Sequence, residues 1–277
     1  MLRPPAVGHS GDPGLFGPDS VSWRIDSQAF VLLGGTAALL LQLAHPAVAA
    51  GVAQHSNFQA DPFARLRRTL TASFSVVFGS TPRAERALRR IDAVHGIVRG
   101  SIPETGDAYD ARDPQLLLWV HATLVDTALR VYDRFVAPLS AQEAEAYHRE
   151  SRQIAIRLGV PPEVVPPTLA GLRDWMAERI ASGEVRVTPT ARALGQAVLY
   201  PTPLPPRWAW DAAHLPSVSV LPDQIRRGYG ITWNPARRRG VERLARATRA
   251  TLPLLPQALR EVPAARMARR RLSVGRS

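Results

Sequence analysis

The stretch Ala29–Phe58, AFVLLGGTAALLLQLAHPAVAAGVAQHSNF, constrains this chain more than any other. Its opening run, Ala29–Leu41, holds 13 residues without a strongly polar side chain, two of them glycine. A bilayer crossing takes about 20 predominantly apolar residues, and runs of roughly 10–14 are more often buried core helices. Gln42, His45 and Pro46 come directly after it, and no basic cluster flanks either end closely enough to set an orientation. The stretch therefore reads as the central buried helix of a helical bundle, bent at His45-Pro46. It does not read as a transmembrane span. The rest of the chain must supply helices to cover it.

The remaining pattern does so. Length, 277 residues, allows a substantial core in one large domain or two small ones. Residues 1–20 are rich in Gly and Pro and are expected to be an irregular arm. Residues 21–277 are expected to form a single all-α domain. Asp61-Pro62 and Asp113-Pro114 each place a capping acid before a proline at a first helical position. Ser140-Ala-Gln-Glu143 is a capping box, opening a helix that should run to Leu158 and stop at Gly159. No long alternating strand pattern is present, and EVRVTP at 184–189 offers at most a short extended piece. The segment 200–222 carries six prolines and reads as an extended strap, packed over the helices by Trp208 and Trp210. Pro235–Leu252 and Pro256–Leu272 read as two arginine-rich closing helices.

Charge and composition exclude several function classes. Without cysteine there are no disulfides, thiolate metal sites or cysteine nucleophiles. The N-terminus lacks the apolar core of a signal peptide, so the expected location is the cytoplasm. All of the net charge of +12 lies in residues 226–277, where 14 arginines face only Glu242 and Glu261. The chain has no lysine, which reads as genomic base composition rather than selection for phosphate forks. Nucleic acid is not an expected partner. A peripheral membrane contact by the tail stays open, as does the oligomeric state.

The candidate chemistry lies in histidines on apolar faces. Leu88, Ile91, His95 and Val98 form one helical stripe, which aims His95 inward beside Gly96, where something bulky can approach. Leu117, His121, Leu124, Val125 and Ala128 share another face, so His121 is also aimed inward. A lone inward histidine is more often a hydrogen-bonded core residue than a ligand, but two improve the case. Imidazole in an apolar setting serves haem iron, zinc and non-haem iron, and spacing alone does not choose among them. Phe63, Leu66, Leu70 and Val77 make a further buried stripe, with Arg65 and Thr69 one turn apart on the adjacent face. HExxH, CxxCH, GxGxxG, P-loop and GxSxG patterns are absent.

Taken in order, HPAVAAGVAQHSNFQADPFARLRRT, FSVVFGS, VHGIVRG, YDARDPQLLLWVHATLVDTALRVYDRF, LSAQEAEAYHRE and LPDQIRRGYGITWNPARRRGVERL resemble one family over Trp23 to Leu272. It is the family of latex-clearing rubber oxygenases and MpaB-type oxygenases, in its small bacterial form. The resemblance implies an all-α bundle with a globin-like core, a bound haem b and oxygenase chemistry. In that pattern His95 matches the iron ligand, in HGIVR. Arg65-Leu-Arg-Arg68-Thr69 matches an Arg-x-x-Lys-Thr stretch beside the haem, with Arg68 at the lysine position. Arginine stays protonated and does not bind iron, so a lysine-capped state is not available to this chain.

The reading is then a haem b-dependent oxidoreductase taking dioxygen or a peroxide to a small apolar substrate, isoprenoid-like or a secondary metabolite. His95 is the expected metal ligand, with Arg65, Arg68 and His45 contacting the cofactor. Arg65, Thr69 and His121 are the expected catalytic groups, and His121 is the second choice of ligand. The competing readings are a non-haem metal oxygenase or hydrolase built from His45, His55, His95 and His121, and a non-catalytic carrier of an apolar ligand.

Overall fold

In a computed structural model of the chain, residues 11–56 and 62–274 are described, without the side chains of residues 62–66 and 68. Ser20 caps a short first helix, α1 (Val21–Asp26), by accepting the N–H of Trp23. A 3-10 turn, Ala29–Gly34, then leads into α2 (Gly35–Leu43). Pro46 ends that helix. It has no N–H for the carbonyl of Gln42, and its ring disfavours a helical conformation at His45. His45 has φ −79° and ψ 120°, and the chain restarts as α3 (Pro46–His55). The apolar stretch is therefore two helical segments bent by 103°, not one helix with a kink.

At the break the Ala44 N–H is shared between the Leu40 and Leu41 carbonyls, and further donors join them in a buried setting. Tyr229 donates its hydroxyl to the Leu40 carbonyl at 2.8 Å, and Trp119 donates Nε1 to the Leu41 carbonyl at 3.1 Å. The Arg186 N–H reaches the Ala44 carbonyl at 2.9 Å. On the other side, His45 Nδ1 accepts the Ala47 N–H at 3.3 Å and caps α3. Residues from three distant parts of the chain thus converge on one corner. Tyr229 reaches it only because Gly195 leaves room, since a Cβ there would sit 2.5 Å from the tyrosine ring.

Two long helices come next, α4 (Pro62–Phe78) and α5 (Thr81–His95), packed on each other. A small antiparallel hairpin, β1 (Arg99–Ser101) with β2 (Ala108–Asp110), pairs Gly100 with Tyr109. Strands this short leave no readable alternation in the sequence, so the pattern predicts none there. Asp113 accepts the Gln115 N–H at 2.7 Å and opens α6 (Pro114–Val131), as its Asp-Pro pair predicts. After a π turn at Tyr132–Val136, the capping box of Ser140 and Glu143 opens α7 (Ala141–Arg157). Gly159 terminates it with φ +104°, a left-handed position that suits glycine. Then come α8 (Leu169–Ala181), α9 (Pro189–Leu199), α10 (Arg207–Val218), α11 (Asp223–Gly228), α12 (Pro235–Thr251), α13 (Gln257–Arg260) and α14 (Pro263–Val274).

The fold is all-α in character, with α6 at its centre. Leu118, Trp119, Ala122, Val125 and Leu129 of α6 are buried against Leu40 and Leu41 of α2 and against α7 and α8. A second cluster joins the two ends of the chain. Trp23 meets Phe78 edge-on at 5.0 Å, with Leu88, Val262, Ala265 and Ala268 around them.

Two expectations about the C-terminal third need correction. The segment 200–222 is not an extended strap, because four of its prolines are gathered at 201–206 and leave the rest free to coil. Pro206 precedes α10, which runs past Pro216 in its last turn and forgoes there the one N–H that would bond the Ala212 carbonyl. Trp208 does not pack the segment down: it is 73% exposed, while Trp210 stacks on His214. The second closing helix is also interrupted. Pro263 restarts it as α14, and at the gap the Val262 N–H donates to the Ser27 carbonyl at 2.8 Å. EVRVTP forms no strand with a named partner, although Arg186 within it makes the bond to Ala44. Among the described residues no single helix is long and apolar enough to cross a membrane.

The corner at His45-Pro46 makes a stability prediction. Tyr229→Phe strips a donor from the Leu40 carbonyl while keeping the ring, whereas Trp119→Phe strips one from the Leu41 carbonyl and also removes part of a fully buried indole. Each should lower unfolding free energy by about 1–3 kcal/mol in urea titrations. A loss below a few tenths of a kcal/mol would mean the carbonyls need no such partner.

Candidate functional site

Helix α5 ends at His95, and its last turn carries the features of a binding surface. His95 is half-buried, with Nδ1 enclosed and lacking a hydrogen-bond partner. Burial depresses its pKa, opposed by the charge of Asp92 and assisted by that of Arg112. The ring therefore favours its neutral form, with a lone pair available. Val94 and Ile97 on either side are 52% and 72% exposed, unusual for aliphatic residues flanking a buried nitrogen. The close approach expected at Gly96 is made by Arg112, whose guanidinium lies 2.9 Å from where a Cβ would sit. The Asp92 carboxylate accepts two hydrogen bonds from that guanidinium, at 3.1 and 2.9 Å, and its backbone carbonyl a third at 3.3 Å.

Helix α4 carries the arginine–threonine series. Thr69 is exposed on it, Leu70 is half-buried and Val77 is buried. Arg65 and Arg68 fall on the helix, but their side chains lie outside the described residues, as do those of Phe63 and Leu66. Asp61, the expected cap, lies outside the described residues too.

His121 sits in a different environment. It is buried in α6, its Nε2 has no partner, and burial takes its pKa down to about 4, assisted by His148. His148 of α7 is fully buried, with Nε2 2.9 Å from the Pro166 carbonyl and Nδ1 unpartnered. The two imidazoles form a buried neighbourhood with a free ring nitrogen on each. The sequence reading misses His148 as a site residue. Its spacing with Ala144, Ser151 and Ala155 on α7 carries the signal, but the capping-box charges dominate that helix. On the face shared with His121, Leu117 and Val125 are buried as expected, whereas Leu124 is 48% exposed.

His45 performs a structural task, capping α3 at the corner, and its ring lies 6.4 Å from that of Trp119. Burial pulls its pKa down to about 4. His55 is exposed, with Nε2 3.0 Å from the Arg99 carbonyl. Among the described residues, no hydrogen bond or ring contact links His45, His55, His95 and His121. No group of three or more His, Asp or Glu side chains there is arranged to hold a metal ion. The multi-histidine metal site is thus not assembled by the described residues. Two surface pockets, of about 460 and 400 Å³, are lined by neither His95 nor His121.

One further carboxyl, the half-buried Asp26, bears on acid–base behaviour. Asp26 has its pKa raised to about 7 by burial, although the Tyr147 hydroxyl donates to it at 2.9 Å, and the charge of Glu150 adds to the rise. His121 and Asp26 should tilt the stability profile in opposite directions. Between about pH 6.5 and 4 the unfolded chain protonates His121 while the native protein does not, so acidification costs stability. Between about pH 3.8 and 7 native Asp26 keeps a proton that the unfolded chain releases, so raising the pH costs stability. Relative to wild type, His121→Leu should therefore gain as pH falls to 4, and Asp26→Asn should gain as it rises to 7. Each change is on the order of 2–4 kcal/mol across its window in urea unfolding. Parallel profiles for either variant would contradict the burial of that group.

The chain matches the family described as ER-bound oxygenase mpaB/B'/Rubber oxygenase, catalytic domain, over residues 23–250. Similar chains include the uncharacterized proteins Rv2237 of Mycobacterium tuberculosis and Mb2261 of Mycobacterium bovis. Each is 26% identical over 225 residues, covering 79% of this chain and 87% of the relative. No solved structure matches it. The matched span runs from α1 to the end of α12 and takes in His45, Thr69, His95, His121 and His148, so the chain belongs to the family of mpaB and rubber oxygenase catalytic domains.

Proposed function

We propose that this protein is a haem b-dependent oxygenase acting on an apolar substrate, of isoprenoid or secondary-metabolite type, with dioxygen or a peroxide. The observation that carries the reading is His95. A neutral imidazole with an enclosed, unpartnered nitrogen ends α5 between two exposed aliphatic side chains. A porphyrin offers a metal for the unpartnered ring, and Val94 and Ile97, which lie off the Leu88–Ile91–His95–Val98 stripe, leave apolar surface exposed at the same end of α5. His121 fits the group less well, because it is enclosed by packed side chains rather than set at a surface.

Bound haem iron would supply the redox centre for oxygen activation. The residues of the chain do the rest. His95, kept neutral by burial, would hold the iron. Arg112, fixed by Asp92 against Gly96, restrains the end of α5 and adds positive charge beside the imidazole. Arg65 and Arg68 supply guanidinium groups for propionate carboxylates, the role that a bidentate cation performs well. The exposed hydroxyl of Thr69 orients the oxidant by donating a hydrogen bond. His121, with a free ring nitrogen and His148 beside it, holds or moves a proton on the substrate side.

Purification with haem supplementation tests this. Wild type should show a Soret band, His95→Ala should lose or shift it, and His121→Ala should keep it with slower oxygen consumption. Absence of the band in wild type would remove the haem reading. A band unchanged in His95→Ala but lost in His121→Ala would transfer the ligand role to His121. A carrier without catalysis would bind an apolar ligand with no oxygen uptake in any variant.

A further inference from the structure

The arginine-rich helix α12 leads directly into a segment that carries several exposed leucines. Leu254 is 81% exposed, Leu259 68%, and Leu255 40%. They belong to the segment that joins α12 to α14. Pro253, Pro256 and Pro263 punctuate it and limit its helix, α13, to four residues, so the leucines cannot fold back onto a neighbouring face. The 3-10 turn Ala29–Gly34 packs against α13, and the Val262 N–H bonds the Ser27 carbonyl close by. That turn adds Leu32 and Leu33, each 39% exposed. Soluble surfaces rarely gather large aliphatic side chains in this way without an interaction to serve.

The same segment is approached by α12. Arg239, Arg243 and Arg246 share one side of that helix, are exposed and enter no ion pair among the described residues. Other tail arginines are committed internally: Arg226 to the carbonyls of Val218 and Leu221, Arg237 to Asp211, Arg269 to Glu261. Of the two acids in residues 226–277, Glu261 is buried in that last pair, which leaves Glu242 as the exposed one.

We propose that this basic and leucine-bearing face docks on an anionic lipid bilayer, with Leu254 and Leu259 entering the interface and the α12 arginines meeting lipid phosphates. Both halves of the surface are used by that partner, since bilayer binding combines buried apolar area with attraction to anionic headgroups. Nucleic acid would engage the arginines and give the leucines nothing to bury. A second copy would bring two strongly basic tails together, and like charges oppose that contact. The face lies outside the His95 region, so bilayer docking does not depend on the oxygenase chemistry.

The test is co-sedimentation of the full chain with phosphatidylcholine vesicles and with mixed phosphatidylcholine–phosphatidylglycerol vesicles. Wild type should bind the mixed vesicles, bind the neutral ones weakly, and release as salt rises. The Leu254→Ser, Leu259→Ser double variant should lose binding roughly tenfold or more, with its circular dichroism spectrum and melting temperature unchanged. The Arg239→Gln, Arg243→Gln, Arg246→Gln variant should lose the preference for anionic lipid. No binding of wild type to mixed vesicles overturns the proposal. So does undiminished binding by the leucine variant, which would indicate charge attraction alone, of the kind nucleic acid also satisfies. A leucine variant that instead dissociates a wild-type dimer, with no vesicle binding by either, assigns the face to a second copy and overturns it as well.

Discussion

One missing hydrogen-bond donor, the ring nitrogen of Pro46, organises much of this fold. It splits the most apolar stretch of the chain into α2 and α3, and the two leave each other at a steep angle. Each half is then short enough to be wrapped by neighbours, so α6 can run along α2 while α9 packs against both. The carbonyls at the corner draw in Trp119 from α6, Tyr229 after α11 and Arg186 before α9. A local steric rule about proline thus becomes a global tie between segments far apart in sequence.

Burial sets the chemistry of the ionisable groups in a consistent way. His45, His95, His121 and His148 all have depressed pKa values, and in each case loss of hydration is the largest cause. These rings are held neutral by a dry environment, which suits metal ligation or proton transfer better than charge pairing. They do not form one cluster. His45 is occupied as a cap, His121 and His148 are enclosed together, and His95 alone reaches a surface with exposed aliphatic neighbours.

Much of the fold is legible from residue order, and the failures have definite causes. Caps are readable because they depend on a few adjacent residues: Asp113-Pro114 and Ser140 to Glu143 behave as local rules require. The proline count in 200–222 misleads, because its effect depends on where the prolines sit relative to a helix start. Helical periodicity aims His95 and His121 inward alike. It cannot tell that one ends at a half-open surface and the other in the core, since that depends on what covers each face. His148 escapes notice because its helix begins with a strongly charged capping box, and its nearness to His121 comes from the packing of two helices.

The sequence alone determined the helical class, the helix ends marked by caps and prolines, the break at Pro46, the concentration of charge in the tail and the family. These come from short-range sterics, hydrogen bonding and ordered motifs, which act within a few residues or add along the chain. Only the tertiary structure decided that the corner is closed by Trp119, Tyr229 and Arg186, that His121 and His148 are buried near each other, that Arg112 fills the space at Gly96, and that the leucines near α13 stay outside. Those outcomes depend on which surfaces meet. Burial and its effects on hydrogen bonding and protonation are properties of packed neighbours, not of any residue read in isolation.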